Sequence, residues 1–149
     1  MSNQKVYSKN KSINFTGNYM CQQCITNVNR ALKMLHVGQS WTTPDSIRAR
    51  PFTITAVNQN SIFISPQNIR ITFQAFHNAV LFLCLNSHQG QPNSLPIGSS
   101  NSPSLAGPLC RSTRNVNSGT RCINYITSIL GHFNVLNYNG TVRPNTIWL

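Results

Sequence analysis

Three short runs of β-branched and aromatic residues, separated by two polar connectors, constrain the fold of this chain more than any other feature. The runs cover residues 52–57, 61–65 and 69–72. The connectors, 58–60 and 66–68, are only three residues long, which suits tight turns between antiparallel strands and is too short for a parallel crossover. The pattern therefore predicts a three-stranded antiparallel meander.

Apolar residues at three- and four-residue spacing predict helices on both sides of this meander. The upstream helix is expected over residues 19–36. Downstream, Thr72 is placed to cap a second helix that runs to about Asn86. A third helix is expected from about residue 120 to residue 136. The predicted fold class is α+β, with a small antiparallel sheet or a partly open barrel and about three helices.

The remaining segments complete the predicted organisation. Residues 1–17 are polar and basic and are expected to form an N-terminal arm, which leaves 18–149 as a single α+β nucleic-acid-binding domain. Residues 87–108 are rich in Pro, Gly, Ser and Asn and predict a flexible loop. At the end of the chain, residues 142–149 predict an edge strand, where Pro144 would be tolerated.

The charge balance points to an anionic partner. The chain has twelve Lys and Arg residues but one acidic residue, Asp45, and its formal net charge is +11. Two-metal nucleases, polymerases and most glycosidases need at least two carboxylates in one site. The composition therefore argues against a Mg²⁺-dependent nuclease, while a nucleic-acid partner would explain the missing acids.

The richest cluster of anion-binding side chains leads into the last predicted helix. Its guanidiniums and hydroxyls, together with free backbone N–H groups at a helix start, suit phosphate contact. The alternative is a solvated basic loop in which a serine simply caps the helix. The candidate residues are Arg111, Arg114, Ser118, Thr120 and Arg121.

Four side chains of the last predicted helix fall on one stripe. Arg121, Tyr125, Ser128 and His132 are spaced at i, i+4, i+7 and i+11. An arginine, an aromatic ring, a hydroxyl and an imidazole together suit base-edge hydrogen bonds and stacking on a nucleic acid. A normal solvated helix face is the competing interpretation.

A second basic group lies before and within the meander. Arg48 and Arg50 would emerge on one face of an extended segment, and Arg70 belongs to the same group. Trp41 offers a stacking platform or, alternatively, a core side chain. Asp45 is expected to serve as a first-turn carboxylate or as the partner of one arginine, so it cannot neutralise both neighbours.

The cysteines predict structural thiols. Cys21 and Cys24 form one CxxC pair, which resembles half of a zinc site or a redox pair. The other three cysteines do not repeat that spacing, five is an odd number, and no export signal precedes them. We therefore expect reduced thiols, no metal site and no cofactor.

These features favour a small basic protein that binds nucleic acid, with double-stranded DNA ahead of single-stranded DNA or RNA. The longest apolar run is far shorter than a membrane span, so we expect a cytoplasmic or nucleoid-associated protein without a membrane partner. The oligomeric state stays open.

An enzyme is the alternative interpretation. A metal-independent nuclease or base-processing enzyme could use histidine or tyrosine for proton transfer and arginine to stabilise phosphoryl charge. The candidate catalytic residues are His132, Tyr125, Arg121 and His77. Cleavage that resists EDTA would distinguish this enzyme from a binding module.

Overall fold

The computed structural model describes residues 19–97, 106–115 and 119–149. This part of the chain folds into four helices and two antiparallel sheets, which confirms the α+β class, and the sheets do not close into a barrel. The helices are α1 (Tyr19–Leu32), α2 (Phe73–Leu85), α3 (Ala106–Thr113) and α4 (Ile123–His132). The strands are β1 (Ser40–Thr42), β2 (Pro51–Val57), β3 (Ser61–Ser65), β4 (Ile69–Thr72), β5 (Leu95–Pro96), β6 (Asn137–Asn139) and β7 (Thr146–Trp148).

The predicted meander is confirmed as strands β2, β3 and β4. Its register places Ile62 opposite Ile71 and Ile64 opposite Ile69, and all four side chains are buried. The three-residue strand β1 adds to the outer side of β2, so the sheet order is β1-β2-β3-β4. So short a strand carries no period-2 signal, and the sequence did not predict it.

Helix α2 begins where the sequence predicted. The hydroxyl of Thr72 accepts a hydrogen bond from the backbone N–H of Ala75 at 3.2 Å, which satisfies a donor that the first turn would leave unpaired. The buried face of the helix, which includes Phe76, Val80 and Leu83, packs into the main core.

Helix α1 is shorter than the expected span of residues 19–36. It ends at Leu32 because the chain then tightens into a turn in which Met34 N–H donates to Ala31 and Leu35 N–H donates to Leu32. Gly38 follows with a φ of +98°, a conformation that glycine adopts without steric cost. The turn brings the chain to β1.

A disulfide joins the two longest helices. Cys21 of α1 is bonded to Cys84 of α2, 63 residues further along, with the Cα atoms 6.0 Å apart. The expectation of reduced thiols is wrong for this pair, because α1 and α2 pack against each other and bring two cysteines of their apolar faces together. Cys24, Cys110 and Cys122 are not disulfide-bonded.

The segment predicted as a flexible loop, 87–108, contains regular structure. It holds a 3₁₀ turn (Gln91–Asn93), β5 and the first residues of α3. Backbone hydrogen bonds tie it to the end of the chain, since Gly90 N–H donates to Leu149 and Leu149 N–H donates to His88, both at 2.8 Å. Residues 98–105, like the predicted arm 1–17, lie outside the described residues.

The predicted edge strand is instead the centre of the second sheet. Its order is β5-β7-β6, and Ile147 of β7 lies opposite Leu95 on one side and Tyr138 on the other. The prediction was wrong because β5 and β6 are only two and three residues long and have no pattern of their own. Pro144 precedes the strand and so does not interrupt its hydrogen bonds.

None of the helices in the described ranges combines the length and the apolar composition that a membrane crossing requires.

Candidate nucleic-acid interface

A cavity of about 320 Å³ opens where the loop before β2, the start of α4 and the approach to β7 meet. We call it the arginine pocket because three guanidiniums from distant parts of the chain share it. Its lining residues are Thr43, Asp45, Arg48, Arg50, Ile97, Arg121, Asn124, Tyr125, Pro144 and Asn145.

One oxygen of the Asp45 carboxylate is engaged within the protein. Its Oδ1 atom accepts hydrogen bonds from the backbone N–H groups of Arg48 (2.9 Å) and Ile47 (2.8 Å), and Arg143 lies 3.6 Å from the same oxygen. The backbone bonds, and then the charges of Arg143 and Arg48, lower the pKa of Asp45. The carboxylate therefore holds the turn and pairs with Arg143.

The loop that carries Arg48 and Arg50 is fastened at both ends. Thr43 and Arg50 are joined twice, because Thr43 N–H donates to the Arg50 carbonyl (3.0 Å) and the Thr43 hydroxyl accepts from Arg50 N–H (2.9 Å). At the other side Ser46 N–H donates to the Gly140 carbonyl at 2.9 Å. A side chain at Gly140 would overlap the Pro44 carbonyl, so this close approach requires glycine.

The three guanidiniums of the pocket are available to a ligand. Arg48 and Arg50 are exposed, and Arg121 is half-buried. Within the described ranges, the side chains of these arginines donate no hydrogen bond to the protein, and Asp45–Arg143 is the one ion pair. Three positive charges therefore line the cavity with no side-chain hydrogen bond or ion pair to the described part of the chain.

Uncharged polar groups complete the lining. The ring of Tyr125 is half-buried and meets the edge of Phe52 at a centroid distance of 5.1 Å. Burial raises the pKa of the Tyr125 hydroxyl, with a further increase from Cys122 and an opposing effect from Arg50, so the phenol is protonated at neutral pH. Beside it lie the amides of Asn124 and Asn145.

The predicted stripe on the last helix is buried only at Ser128, whereas Arg121 and Tyr125 are half-buried and His132 is exposed. Ser128 is only 4% exposed and donates a hydrogen bond to the Thr42 carbonyl at 2.6 Å. The ring of His132 meets the partly buried Trp41 edge-on at 5.6 Å. The middle of α4 therefore packs against β1 through Ser128, whose hydroxyl is used inside the protein.

The basic cluster predicted at residues 111–121 is divided by the fold. Arg111 lies in the last turn of α3 and Arg114 follows it, so neither is at a helix start as expected. The chain then turns back, with Gly119 N–H donating to Asn115 at 2.7 Å. Arg121 and Thr120 precede α4, whose N-cap is Cys122, and Ser118 lies outside the described residues.

Arg70 and Arg114 meet in a second cavity, of about 520 Å³, at the start of α2. We call it the α2 pocket; its lining residues are Gln59, Asn60, Arg70, Thr72, Phe73, Gln74, Ala75, His77, Asn78, Ser112 and Arg114. The Arg70 Nε atom donates to the Ser61 hydroxyl at 3.2 Å, and the Arg70 carbonyl accepts from the Asn115 amide at 2.9 Å. Arg70 is thus separated from Arg48 and Arg50, with which the sequence grouped it.

The four catalytic candidates do not share one site. Arg121 and Tyr125 line the arginine pocket, whereas His77 lines the α2 pocket and His132 packs on Trp41. His77 Nε2 lies 3.1 Å from the Asn29 Oδ1 atom, and burial lowers the pKa of its imidazole. In the parts of the chain that the structure describes, no three His, Cys, Asp or Glu side chains are grouped to hold a metal ion.

Sequence reasoning missed Asn124, Asn145 and Thr43. Asparagine is too frequent in this chain for two of its occurrences to stand out, and no local pattern links residues that lie twenty or more positions apart. Comparison of the chain with protein-family models, curated proteins and solved structures finds no significant match. Function therefore has to be inferred from the two pockets.

Proposed function

We propose that the protein binds nucleic acid, with double-stranded DNA as the leading partner, by contacting backbone phosphates at the arginine pocket. The observation that carries the proposal is the convergence of Arg48, Arg50 and Arg121, whose guanidiniums have no partner in the described protein, on a pocket whose single carboxylate is already engaged. A guanidinium presents paired N–H donors that match phosphate oxygens.

A polymeric anion fits the charge better than a small one does. The net charge of +11 far exceeds what one pocket needs, and exposed cations such as Arg30, Lys33 and Arg114 lie outside the arginine pocket. Contacts with successive phosphates release condensed counterions and make the affinity depend on salt. Because Ser128 in the middle of α4 packs against β1, that part of the helix cannot read base edges, and we expect phosphate contacts to supply most of the affinity.

A salt titration tests the proposal. Fluorescence anisotropy would follow binding to duplex DNA, single-stranded DNA and RNA of matched length between dilute and physiological salt. Duplex DNA should bind most tightly, and log K should fall linearly with log salt, at about 0.9 per phosphate neutralised. Affinity that ignores salt would contradict the proposal.

A matched pair of variants locates the contact. The double variant Arg48→Gln/Arg121→Gln and the control Arg30→Gln/Lys33→Gln remove the same charge from different surfaces. The pocket variant should reduce the salt slope by about two, because two phosphate contacts are lost, and the control should change it by less than one. An equal decrease of the salt slope in both variants would mean that net charge alone drives binding.

The same samples test for a metal-independent nuclease. The arginine pocket has no histidine among its lining residues to move a proton, and burial keeps the Tyr125 phenol protonated. Denaturing gels of the labelled strands, run after incubation in EDTA, should show no cleavage. Cleavage that disappears in the pocket variant would make catalysis the better description.

Binding to DNA implies a cytoplasmic or nucleoid-associated location. Disulfides are rare in reducing compartments, so the oxidation state of Cys21 and Cys84 in cells is informative. Acid quenching, alkylation and mass spectrometry of the protein would measure it. A reduced pair would support the proposed location, whereas a fully oxidised pair would favour an exported protein.

A further inference from the structure

The arginine pocket is larger than phosphate contact requires. Its volume of about 320 Å³ falls within the usual range of small-molecule sites, roughly 300–1,000 Å³. Guanidiniums that only track a duplex backbone can act from an open surface. The volume and the uncharged polar lining are therefore unexplained by the salt-dependent binding proposed above.

Asn145 is the most informative of these uncharged groups. It is only 9% exposed, and its carbonyl accepts a hydrogen bond from Ile97 N–H at 2.8 Å, which fixes the backbone beside the cavity. Its side-chain amide has no hydrogen-bond partner within the described ranges, although the residue lines the pocket. The amide is not among the buried unpartnered polar atoms of the described residues, so it is accessible from the cavity, where it can donate to and accept from a ligand.

Asn124 and Tyr125 extend the same wall from the first turn of α4. The Asn124 amide also has no partner in the described part of the chain. The Tyr125 ring is held by its edge contact with Phe52 and does not need to be ordered on binding. Amides can both donate to and accept from a base edge, and fixed aromatic rings support base stacking.

We infer that the arginine pocket holds one nucleotide unit. The guanidiniums of Arg48, Arg50 and Arg121 bind its phosphate, and its base lies beside Tyr125 with an edge bonded to the Asn145 amide. The inference rests on the proposed function, because it names what the same pocket takes from a nucleic acid. The unit is either a base that has left the stack of a strand or a free mononucleotide.

Duplexes that differ at one position test the strand as the source. A matched duplex is compared with one that carries a single unpaired nucleotide and with one whose unpaired position is abasic. An unpaired base is already free of most of its stacking, so the bulged duplex should bind roughly tenfold more tightly than the matched one. The abasic duplex should lose this preference, because the base is missing while the phosphates remain.

Free ligands test the other source. The four 5′-mononucleotides and inorganic phosphate are titrated as competitors of the bulged duplex. A mononucleotide that competes at least about tenfold better than phosphate shows that the base is recognised. Strong competition without any bulge preference assigns a free nucleotide as the ligand, whereas a bulge preference with weak competition assigns a strand.

Variants of the two pocket amides show whether base discrimination depends on the arginine pocket. Asn145→Ala should abolish the discrimination between base-containing and base-free probes, and so should Asn124→Ala, which changes a less buried side chain. Gln22→Ala, an exposed amide on α1, serves as the control and should leave it unchanged. Thermal melts confirm that each variant is folded.

The inference is overturned if neither bulge nor mononucleotide is preferred over its base-free counterpart, or if the preference survives in both pocket-amide variants. Salt-dependent binding of the matched duplex is measured in the same titrations. If that binding persists while base discrimination is absent, only the inference fails. If mononucleotides bind and the duplex does not, the proposed function fails instead.

Discussion

The α2 pocket is larger than the arginine pocket, yet one of its two arginines, Arg70, is used differently. Arg70 donates to the Ser61 hydroxyl across the β3–β4 pair, and its carbonyl holds the Asn115 amide, so the residue joins the sheet to the segment after α3. In the arginine pocket, Arg48, Arg50 and Arg121 make no such side-chain bonds within the described ranges.

The difference separates a structural arginine from one that is free to bind. Both pockets contain guanidiniums, but a guanidinium whose donors are already used has less to offer an incoming phosphate. In the arginine pocket the Asp45 carboxylate accepts hydrogen bonds from backbone N–H groups and pairs with Arg143. In the described ranges the arginine pocket therefore has three guanidiniums without a side-chain bond, whereas the α2 pocket has one, that of Arg114, beside the bonded Arg70.

Charge reversal should give the largest difference in duplex affinity between variants of the two pockets. Arg121→Glu places a carboxylate in the arginine pocket, and at low salt it should weaken duplex binding by roughly a hundredfold, because one phosphate contact is lost and a repulsion is added. Arg114→Glu, the same change in the α2 pocket, should weaken it by less than about tenfold. Anisotropy titrations measure both, and a larger effect at Arg114 would move the contact surface to the α2 pocket.

Removal of the Arg70 donor should lower the stability of the protein and leave its duplex affinity nearly unchanged. Arg70→Gln loses the bond to the buried Ser61 hydroxyl and should lower the free energy of unfolding by about 1 kcal/mol, while duplex affinity changes by less than about threefold. Urea denaturation and anisotropy would report the two quantities. Arg48→Gln is the matched control and should change affinity with little effect on stability. An Arg70 variant that is fully stable but cannot bind would contradict the assigned role.

The smallest expected effect is on the pH dependence of stability. Burial lowers the pKa of His77 from its ordinary value of 6.5, so below that pH the unfolded chain binds a proton more readily than the folded protein does. Stability should be complete above about pH 6.5 and should decrease as the pH falls towards the lowered pKa of the folded state.

Denaturant titrations between pH 5 and 8 measure this effect. His77→Gln can keep a hydrogen bond with Asn29 and should flatten the profile, whereas His36→Gln, at an exposed position, should leave it in place. A wild-type stability that rises on acidification through this range would be inconsistent with a neutral, buried His77.

The sheet and α2 could be predicted because their signals are local. The meander is specified by apolar runs with three-residue connectors, and the Thr72 cap bonds a residue only three positions away. Helix α3 was not predicted, because Gly107 and Pro108 resemble a loop in sequence. They lie in the first turn, where proline costs no hydrogen bond.

The site could be predicted only in part. Helical spacing correctly placed Ser128 and His132 on a shared face, but spacing does not say what a face meets, and here it meets β1. Arg48 and Arg121 were both candidates, yet they were assigned to separate groups. The two residues line one pocket because of long-range contacts such as that between Pro44 and Gly140, which no local sequence pattern predicts.

The Cys21–Cys84 disulfide divides the protein mechanically. When the chain is pulled from its ends, force bypasses the closed loop between these residues, and about 200 Å of extended chain cannot be released. All of the first sheet lies inside that loop, together with Arg48 and Arg50, whereas Arg121 and Asn145 lie outside it. Tension would therefore tear the two walls of the arginine pocket apart while the sheet stays intact.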